Sequence, residues 1–360
     1  MKGKIKRKDR NLFEYQERMD GLKQQRTPLD KLNTIIDFEM FRPILTDILE
    51  PKEQKAPGGA SHYDYVFMFK ILVFQKYYNL SDEMAEFQIN DRLSVQRYLG
   101  ITLSDKVPDY SKIWKFRTAL IKAKVIDKLF RMFDDYLENQ GVIGKAGVMV
   151  DASFVDVPRQ RNSRDENKEI KSGIVPEEWK KNPHKLSHKD TDARWMTKNK
   201  ERHYGYKNHV KVDVKSKLVR TYVTTGASVH DSQVVAELLT DKDKGKPFYA
   251  DSAYVGPQVA EVLKDHKMVN RIHEKGYRNK PLTEKQKAKN KRKSRIRSRI
   301  EHVFGFMENS MDASFIRTIG KEMAHGQNGM LNLVYNMARF VQIKAIIASR
   351  KIQVREFKGL

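Results

Sequence analysis

The sequence contains no cysteine, which excludes disulfide bonds and thiolate metal sites and suits a reducing compartment such as the cytoplasm. Long apolar runs are missing too. Spanning a bilayer takes roughly 18 to 20 consecutive apolar residues, and the greasiest stretch, Val66 to Phe74, is short and carries Lys70 inside it. The basic start, Met1-Lys2-Gly3-Lys4-Ile5-Lys6-Arg7-Lys8, has no apolar region behind it and does not read as a secretory signal. Acid is scarce relative to base. Against 70 Lys plus Arg stand 46 Asp plus Glu, a net charge of +24 with a pI of about 9.8. With a membrane disfavoured, the polyanion that such a balance fits is nucleic acid. No fixed repeat period, nucleophile motif or phosphate-cradling Gly-rich loop is present, so solenoids and a small-molecule nucleotide site are disfavoured. Four histidines, His184, His188, His203 and His209, do not make a zinc site without cysteine partners.

What is present is enough for two domains: 360 residues, 39% of them hydrophobic and 10% aromatic. Residues 1–26 read as a polar, basic arm. Residues 27–140 have helical texture, with Tyr63 to Tyr78 apolar almost all round and therefore central to a bundle. Ser81 and Ser94 are candidate N-caps, and Pro57-Gly58-Gly59 breaks the chain. Pro108-Asp109 opens a helix whose apolar positions are interleaved with Lys112, Lys115, Arg117 and Lys122. Short helices with sharp turns suit a helix-turn-helix type of DNA-binding module, with Lys115 and Arg117 as candidate phosphate contacts.

After Gly141 the texture changes to α/β. The order read from the sequence is strand, strand, strand, helix, strand, helix, strand, helix, a mixed sheet spanning residues 141–345 with a tail at 346–360. Lys215-Ser216-Lys217 is the hairpin between the second and third strands. Two polar stretches interrupt the pattern, 157–203 and 275–299. The second holds twelve Lys or Arg against the single acid Glu284, a local charge of +11. Its Lys291, Lys293, Arg295 and Arg297, together with Lys207, are candidate contacts to DNA phosphates.

Three acids draw attention. Asp151 is expected to end the first strand, Asp251 to follow the fourth, and Glu301 to lie in the helical run Arg297 to Phe304. Neighbouring strands that end in Asp can aim carboxylates at one spot. Phosphodiester cleavage needs an activated nucleophile and a stabilised leaving oxygen, which two divalent ions about 3.5 to 4 Å apart supply. Hard Mg²⁺ or Mn²⁺ ions prefer carboxylate oxygen. Taken singly, an Asp at a strand end also serves as a turn former, and a Glu four residues after an Arg also makes a surface ion pair. Both alternatives stay open at this point.

At these residues the sequence resembles the DDE transposases of bacterial insertion sequences, specifically the IS-five group within the wider IS-four-like set. The likeness runs through Tyr78-Asn79-Leu80-Ser81-Asp82-Glu83, Asp91-Arg92-Leu93-Ser94 and Val107-Pro108-Asp109, and continues through Trp114-Lys115-Phe116-Arg117. In the second half it covers Val150-Asp151-Ala152-Ser153, Asp190-Thr191-Asp192-Ala193-Arg194-Trp195 and His203-Tyr204-Gly205-Tyr206-Lys207. Val229-His230-Asp231-Ser232, Ala250-Asp251-Ser252-Ala253-Tyr254 and Arg297 to Phe304 complete it. The resemblance implies a ribonuclease-H-like core with Asp151, Asp251 and Glu301 as a catalytic, metal-holding triad and two Mg²⁺ or Mn²⁺ ions per site. It implies cleavage at terminal inverted repeats of double-stranded DNA and joining of the 3′-hydroxyl to target DNA. A homo-oligomer on DNA and a bacterial, nucleoid-associated location follow as further expectations. In the family's Tyr–Arg–Glu–Lys pattern, Arg297 and Glu301 match, whereas Ser294 stands at the Tyr position and Glu308 at the Lys position. A nuclease that cuts without joining, or an inactive DNA-binding descendant, are the competing readings.

Overall fold

The computed structural model describes residues 12–24, 26–49, 62–144, 146–198, 200–278 and 280–358. The Pro57-Gly58-Gly59 break and most of the N-terminal basic residues lie outside these. The N-terminal half is helical: α1 Glu14–Gln24, α2 Pro28–Ile35, α3 Arg42–Leu49, α4 Tyr65–Tyr77, α5 Asp82–Asp91, α6 Leu93–Leu99, α7 Tyr110–Lys122 and α8 Val125–Asn139. Asp64 caps α4 by accepting the Phe67 N–H at 2.9 Å, and Val66, Met68, Phe69 and Ile71 to Phe74 are all buried. This helix has no polar face to turn to water, so its neighbours surround it. By contrast α8 is amphipathic, burying Val125, Ile126, Leu129, Phe130, Phe133 and Leu137 at helical spacing.

The second half builds a sheet: β1 Val148–Asp156, then α9 Arg164–Lys171, α10 Glu177–Lys180 and α11 Pro183–Ser187, followed by β2 Arg194–Lys198, β3 Glu201–Asp213 and β4 Val219–Gly226. A short helix α12 Val235–Leu238, β5 Pro247–Tyr249, α13 Pro257–Asp265 and β6 Val269–Asn270 come next. Three helices close the chain: α14 Glu284–Arg297, α15 Glu301–Met311 and α16 Lys321–Lys358. β1 runs antiparallel to β3 and parallel to β5, β5 is parallel to β6, and β2 and β4 both pair with β3. This mixed sheet is the expected ribonuclease-H-like core. Asp213 Oδ2 shapes the 215–217 hairpin by accepting the Ser216 N–H at 2.7 Å. Gly205 is required where β3 approaches β1, because a Cβ there would meet the Val155 carbonyl oxygen at 2.3 Å.

One continuous core joins the N-terminal helices to a face of the sheet, running from Leu29 and Phe69 through Met149, Val210 and Val212 to Val303 and Leu333. A second core on the opposite face packs Val148, Val150, Phe248 and Ala250 against α12 and α13. Helix α16 crosses the sheet on a row of buried asparagines. The Asn332 and Asn208 side-chain amides exchange two hydrogen bonds of 3.1 Å, Asn328 donates to Thr224 Oγ1 at 3.0 Å, and Asn336 pairs with both backbone groups of Val219.

Several sequence expectations need correction. Asp151 lies in the middle of β1, not at its end. The 157–203 stretch is folded, and its buried anchor is Trp179, whose Nε1 donates to Glu166 at 2.7 Å. Trp195 is 48% exposed, tilted against Tyr204 with the Arg159 guanidinium over it. Residues 284–297 of the basic stretch form α14, and 346–358 continue α16 instead of forming a separate tail.

Candidate active site

Strand register builds the centre of the site. Val148 pairs with Phe248 and Met149 with Tyr249 across the parallel β1–β5 edge. Asp251 follows two residues past the end of β5, close enough for its charge to act on the Asp151 carboxyl. The pleat fixes the side. Val148, Val150, Phe248 and Ala250 enter the second core, while Met149 and Tyr249 enter the first, so the two aspartates share the face of Met149 and Tyr249. Ile300, Val303, Met307 and Met311 pack α15 into that same first core, which brings Glu301 to the face that holds the aspartates. Asp251 has just left the sheet, and its Oδ1 accepts the Ala253 N–H at 2.8 Å, capping the turn Ser252–Tyr254.

Arg297 links the parts. It is the last residue of α14, a tight turn over 298–300 intervenes, and Glu301 begins α15, so the single helical run expected from the sequence is broken between them. Arg297 Nη1 donates to Asp151 Oδ2 at 2.9 Å, and Nη2 donates to Glu301 Oε1 at 3.0 Å. Asp151 Oδ1 accepts the N–H of Ala152 at 2.9 Å. The Glu301 side chain is 62% exposed, and its carboxylate sits favourably at the positive end of α15. Burial pushes the Asp151 carboxyl up to about 6; the neighbouring Asp251 charge adds to the rise, while the Ala152 N–H and Arg297 oppose it. A buried carboxylate beside a second acid is a place where a cation is favoured.

Among the described residues, the group of three acids whose oxygens all approach within 4.8 Å of one another is Asp134, Asp135 and Glu138 on α8. That cluster is already served by base: Arg220 reaches Asp134 and Glu138 at 3.1 Å each, and Lys242 reaches Asp135 at 3.0 Å and Glu138 at 2.8 Å. Asp151, Asp251 and Glu301 do not close to that spacing, since the Arg297 guanidinium stands between two of them.

The expected phosphate contacts divide. Lys291, Arg295 and Lys115 are exposed. Lys293 donates to the Ile272 carbonyl at 2.7 Å and is largely covered. Lys207 is 6% exposed, with its ammonium donating at 2.8 Å to both Asp231 and the Val229 carbonyl. Arg117 is 8% exposed and forks onto Asp82. Lys207 and Arg117 therefore present no free surface cation, a correction to the sequence reading. Tyr254, three residues after Asp251, is fully buried; its hydroxyl has no hydrogen-bond partner among the described residues and lies under the influence of Asp151, Asp231 and Asp251.

Residues 143–337 match the family model described as the transposase DDE domain, and residues 17–119 match a transposase domain of the DUF772 type. The chain belongs to the DDE transposases. It is thus a DNA transposase, a DNA-cleaving and strand-transferring enzyme of a family that uses divalent metal. Among solved structures it is similar to the piggyBac transposase in a synaptic complex with hairpin DNA, at 13% identity over 90% of this chain and 76% of that one, with a TM-score of 0.45. A likeness that loose carries no argument about the site. No helix among the described residues is long and apolar enough to cross a membrane.

Proposed function

We propose that Asp151, Asp251 and Glu301 are the metal-holding triad of this transposase, and that two Mg²⁺ or Mn²⁺ ions serve it. The observation that carries the reading is the Arg297 bridge, which ties Glu301 to Asp151 from a position 146 residues away in sequence, with the Asp251 charge near enough to raise the Asp151 carboxyl. The donor set is all carboxylate oxygen, which suits these hard cations, and burial of Asp151 creates a deficit that positive charge relieves. Such ions, when bound, supply an activated water and stabilise the leaving oxygen. The chain's own residues do the rest. Asp151 presents its oxygens from the middle of β1 and Asp251 from the turn just beyond β5, Glu301 closes from α15, and Arg297 orients both Asp151 and Glu301.

The exposed cations of α14, Lys291 and Arg295 foremost, hold the DNA backbone beside the acids, and Lys115 on α7 makes a more distant contact. Substrates on this reading are the terminal inverted repeats of an insertion sequence of the IS-five group, handled by a homo-oligomer assembled on DNA. The test uses duplexes carrying paired inverted repeats found in the DNA that flanks the reading frame. Asp151→Asn, Asp251→Asn and Glu301→Gln should each lower cleavage and strand transfer by more than the ~10- to 100-fold typical of a lost outer-shell partner. DNA binding should stay near the wild-type level. Near-native cleavage by any one of these variants removes that residue from the triad.

A further inference from the structure

Away from the acids, the N-terminal helices and the catalytic half enclose a cleft of about 740 Å³ between α4, α5, α7 and the segment around Arg317. Its charged lining is unbalanced. Lys76, Arg117, Lys122 and Arg317 face it, with Asp82 and Glu83 as the acids. Asp82 is occupied by Arg117 through a two-pronged ion pair. The Lys76 ammonium has no ion-pair or hydrogen-bond partner among the described residues, and burial together with the nearby Arg117 and Arg317 guanidiniums pushes it down to about 7. Uncompensated positive charge facing a cleft is costly, and a tetrahedral oxyanion seated there offsets it.

The shape argues for a polymer over a single small ion. A second cleft of about 410 Å³, lined by Arg159, Arg161 and Lys189, shares His188, Arg317, Thr318 and Ile319 with the first, so the basic lining continues as a track. Trp114 and Tyr110 stand exposed at the rim. The track is tied to the catalytic strand, because Asp156 at the end of β1 exchanges backbone hydrogen bonds of 2.8 Å with Ser314 and 3.0 Å with Ile316. Asp156 is five residues along β1 from Asp151, about 16 Å at strand rise. At ~3.4 Å of duplex per nucleotide, that is on the order of five nucleotides from the acids.

We propose that Lys76 and Arg317 bind a backbone phosphate of duplex DNA in this cleft, a second anchoring point apart from the basic helix α14. This rests on the DNA-handling role proposed above.

The experiment measures binding of the full-length chain to a 30-base-pair duplex of arbitrary sequence by fluorescence anisotropy, across a sodium chloride series. Arg317→Gln and Lys76→Gln are compared with wild type, with the charge-keeping Lys76→Arg and, on α14, Lys291→Gln. Loss of one phosphate contact lowers the slope of log K against log salt by about 0.9, equivalent to roughly 5- to 10-fold weaker binding at 0.1 M salt. The expected result is that loss in Arg317→Gln and Lys76→Gln, with Lys76→Arg retaining the wild-type slope. Arg317 is exposed, so its variant remains informative should Lys76→Gln melt early. An unchanged slope in both glutamine variants, with a steep wild-type slope that falls in Lys291→Gln, overturns the cleft while leaving the α14 contact standing. If 10 mM inorganic phosphate raises the melting temperature of wild type but not of Arg317→Gln, and the DNA slopes are equal, the cleft takes a free anion and the DNA assignment is overturned. A wild-type chain that shows no salt-dependent binding to duplex sinks the DNA-handling reading and this proposal together.

Discussion

Replacing Arg297 by Gln separates the protein's own electrostatics from those of a bound metal. In the structure the guanidinium compensates Asp151, whose side chain is 17% exposed, and Glu301, which is mostly in water. Breaking a buried pair by deleting one partner costs ~3–5 kcal/mol, but the Glu301 arm is exposed and contributes less than ~1 kcal/mol. Asp151 can also take up a proton in the variant, since burial already raises its carboxyl to about 6. A net loss of about 2 kcal/mol is the reasonable figure. With an unfolding entropy of roughly 2.1 cal/mol/K per residue, a chain of 360 residues should then melt about 3 °C lower. Differential scanning fluorimetry in EDTA at pH 7.5 reads that shift. Millimolar Mn²⁺ should raise the melting point of Arg297→Gln by more than that of wild type, because in the variant the cation replaces a missing counter-charge instead of competing with one. Equal melting in EDTA and equal Mn²⁺ shifts would refute the view that Arg297 and metal serve the same carboxylates.

His209 is fully buried against Thr225 Oγ1, and burial pushes its imidazole down to about 4 from 6.5. The folded-state value is depressed, so the unfolded chain binds the proton more tightly between those limits. Its stability contribution is therefore intact above pH 6.5 and lost as pH falls toward 4, amounting to about 2 kcal/mol at pH 5. Urea denaturation at pH 7.5 and pH 5 should show that loss in wild type and a smaller one in His209→Gln; parallel losses would contradict it. In the asparagine row, Asn332→Leu should destabilise by ~1–3 kcal/mol by stranding the Asn208 amide, whereas the Asn208→Leu, Asn332→Leu double variant should recover most of it. A double variant no better than the single one would show that the amide pair is not what the helix needs.

Legibility in the sequence followed how local the cause was. The apolar helix α4, the 215–217 hairpin and the strand before Asp251 were readable because each declares itself within a dozen residues. Asp151 looked like a strand end because Ala152 and Ser153 read as turn residues; only pairing with β3, from Ala152 opposite His209 to Asp156 opposite Gly205, extends the strand past it. Helix α14 was hidden because it has no apolar stripe and buries nothing. What makes it a helix is the propensity of Lys, Arg, Gln and Ala together with the Thr283–Gln286 capping box. The folded state of 157–203 rests on a few buried residues, Trp179, Ile170, Val157 and Ala193 among them, scattered through many charges. Lys207 and Arg117 were misjudged for a related reason: charge counting treats every cation as free, and the acids that claim these two, Asp231 and Asp82, are identified only by tertiary contact.

The two departures from the family's helix pattern acquire a physical sense from the same geometry. Ser294, at the Tyr position, faces His273, its hydroxyl 3.3 Å from Nε2, so it is spent on an internal contact. Glu308 is exposed on α15, seven residues beyond Glu301, which places it two turns and about 10 Å further along nearly the same side of the helix. A carboxylate there, about one Debye length from the acids, disfavours DNA running outward along α15. On the other side of Arg297, α14 offers Lys285, Lys287, Lys289, Lys291 and Arg292 without a buried residue among its fourteen. Repulsion on one helix and attraction on the other orient the DNA more firmly than either would alone, since a phosphate backbone drawn to α14 is also turned away from the outer end of α15. If α14 holds the DNA backbone as proposed, the contact that the pattern leads one to expect at 308 is supplied across the 298–300 turn, and Glu308 adds direction to it.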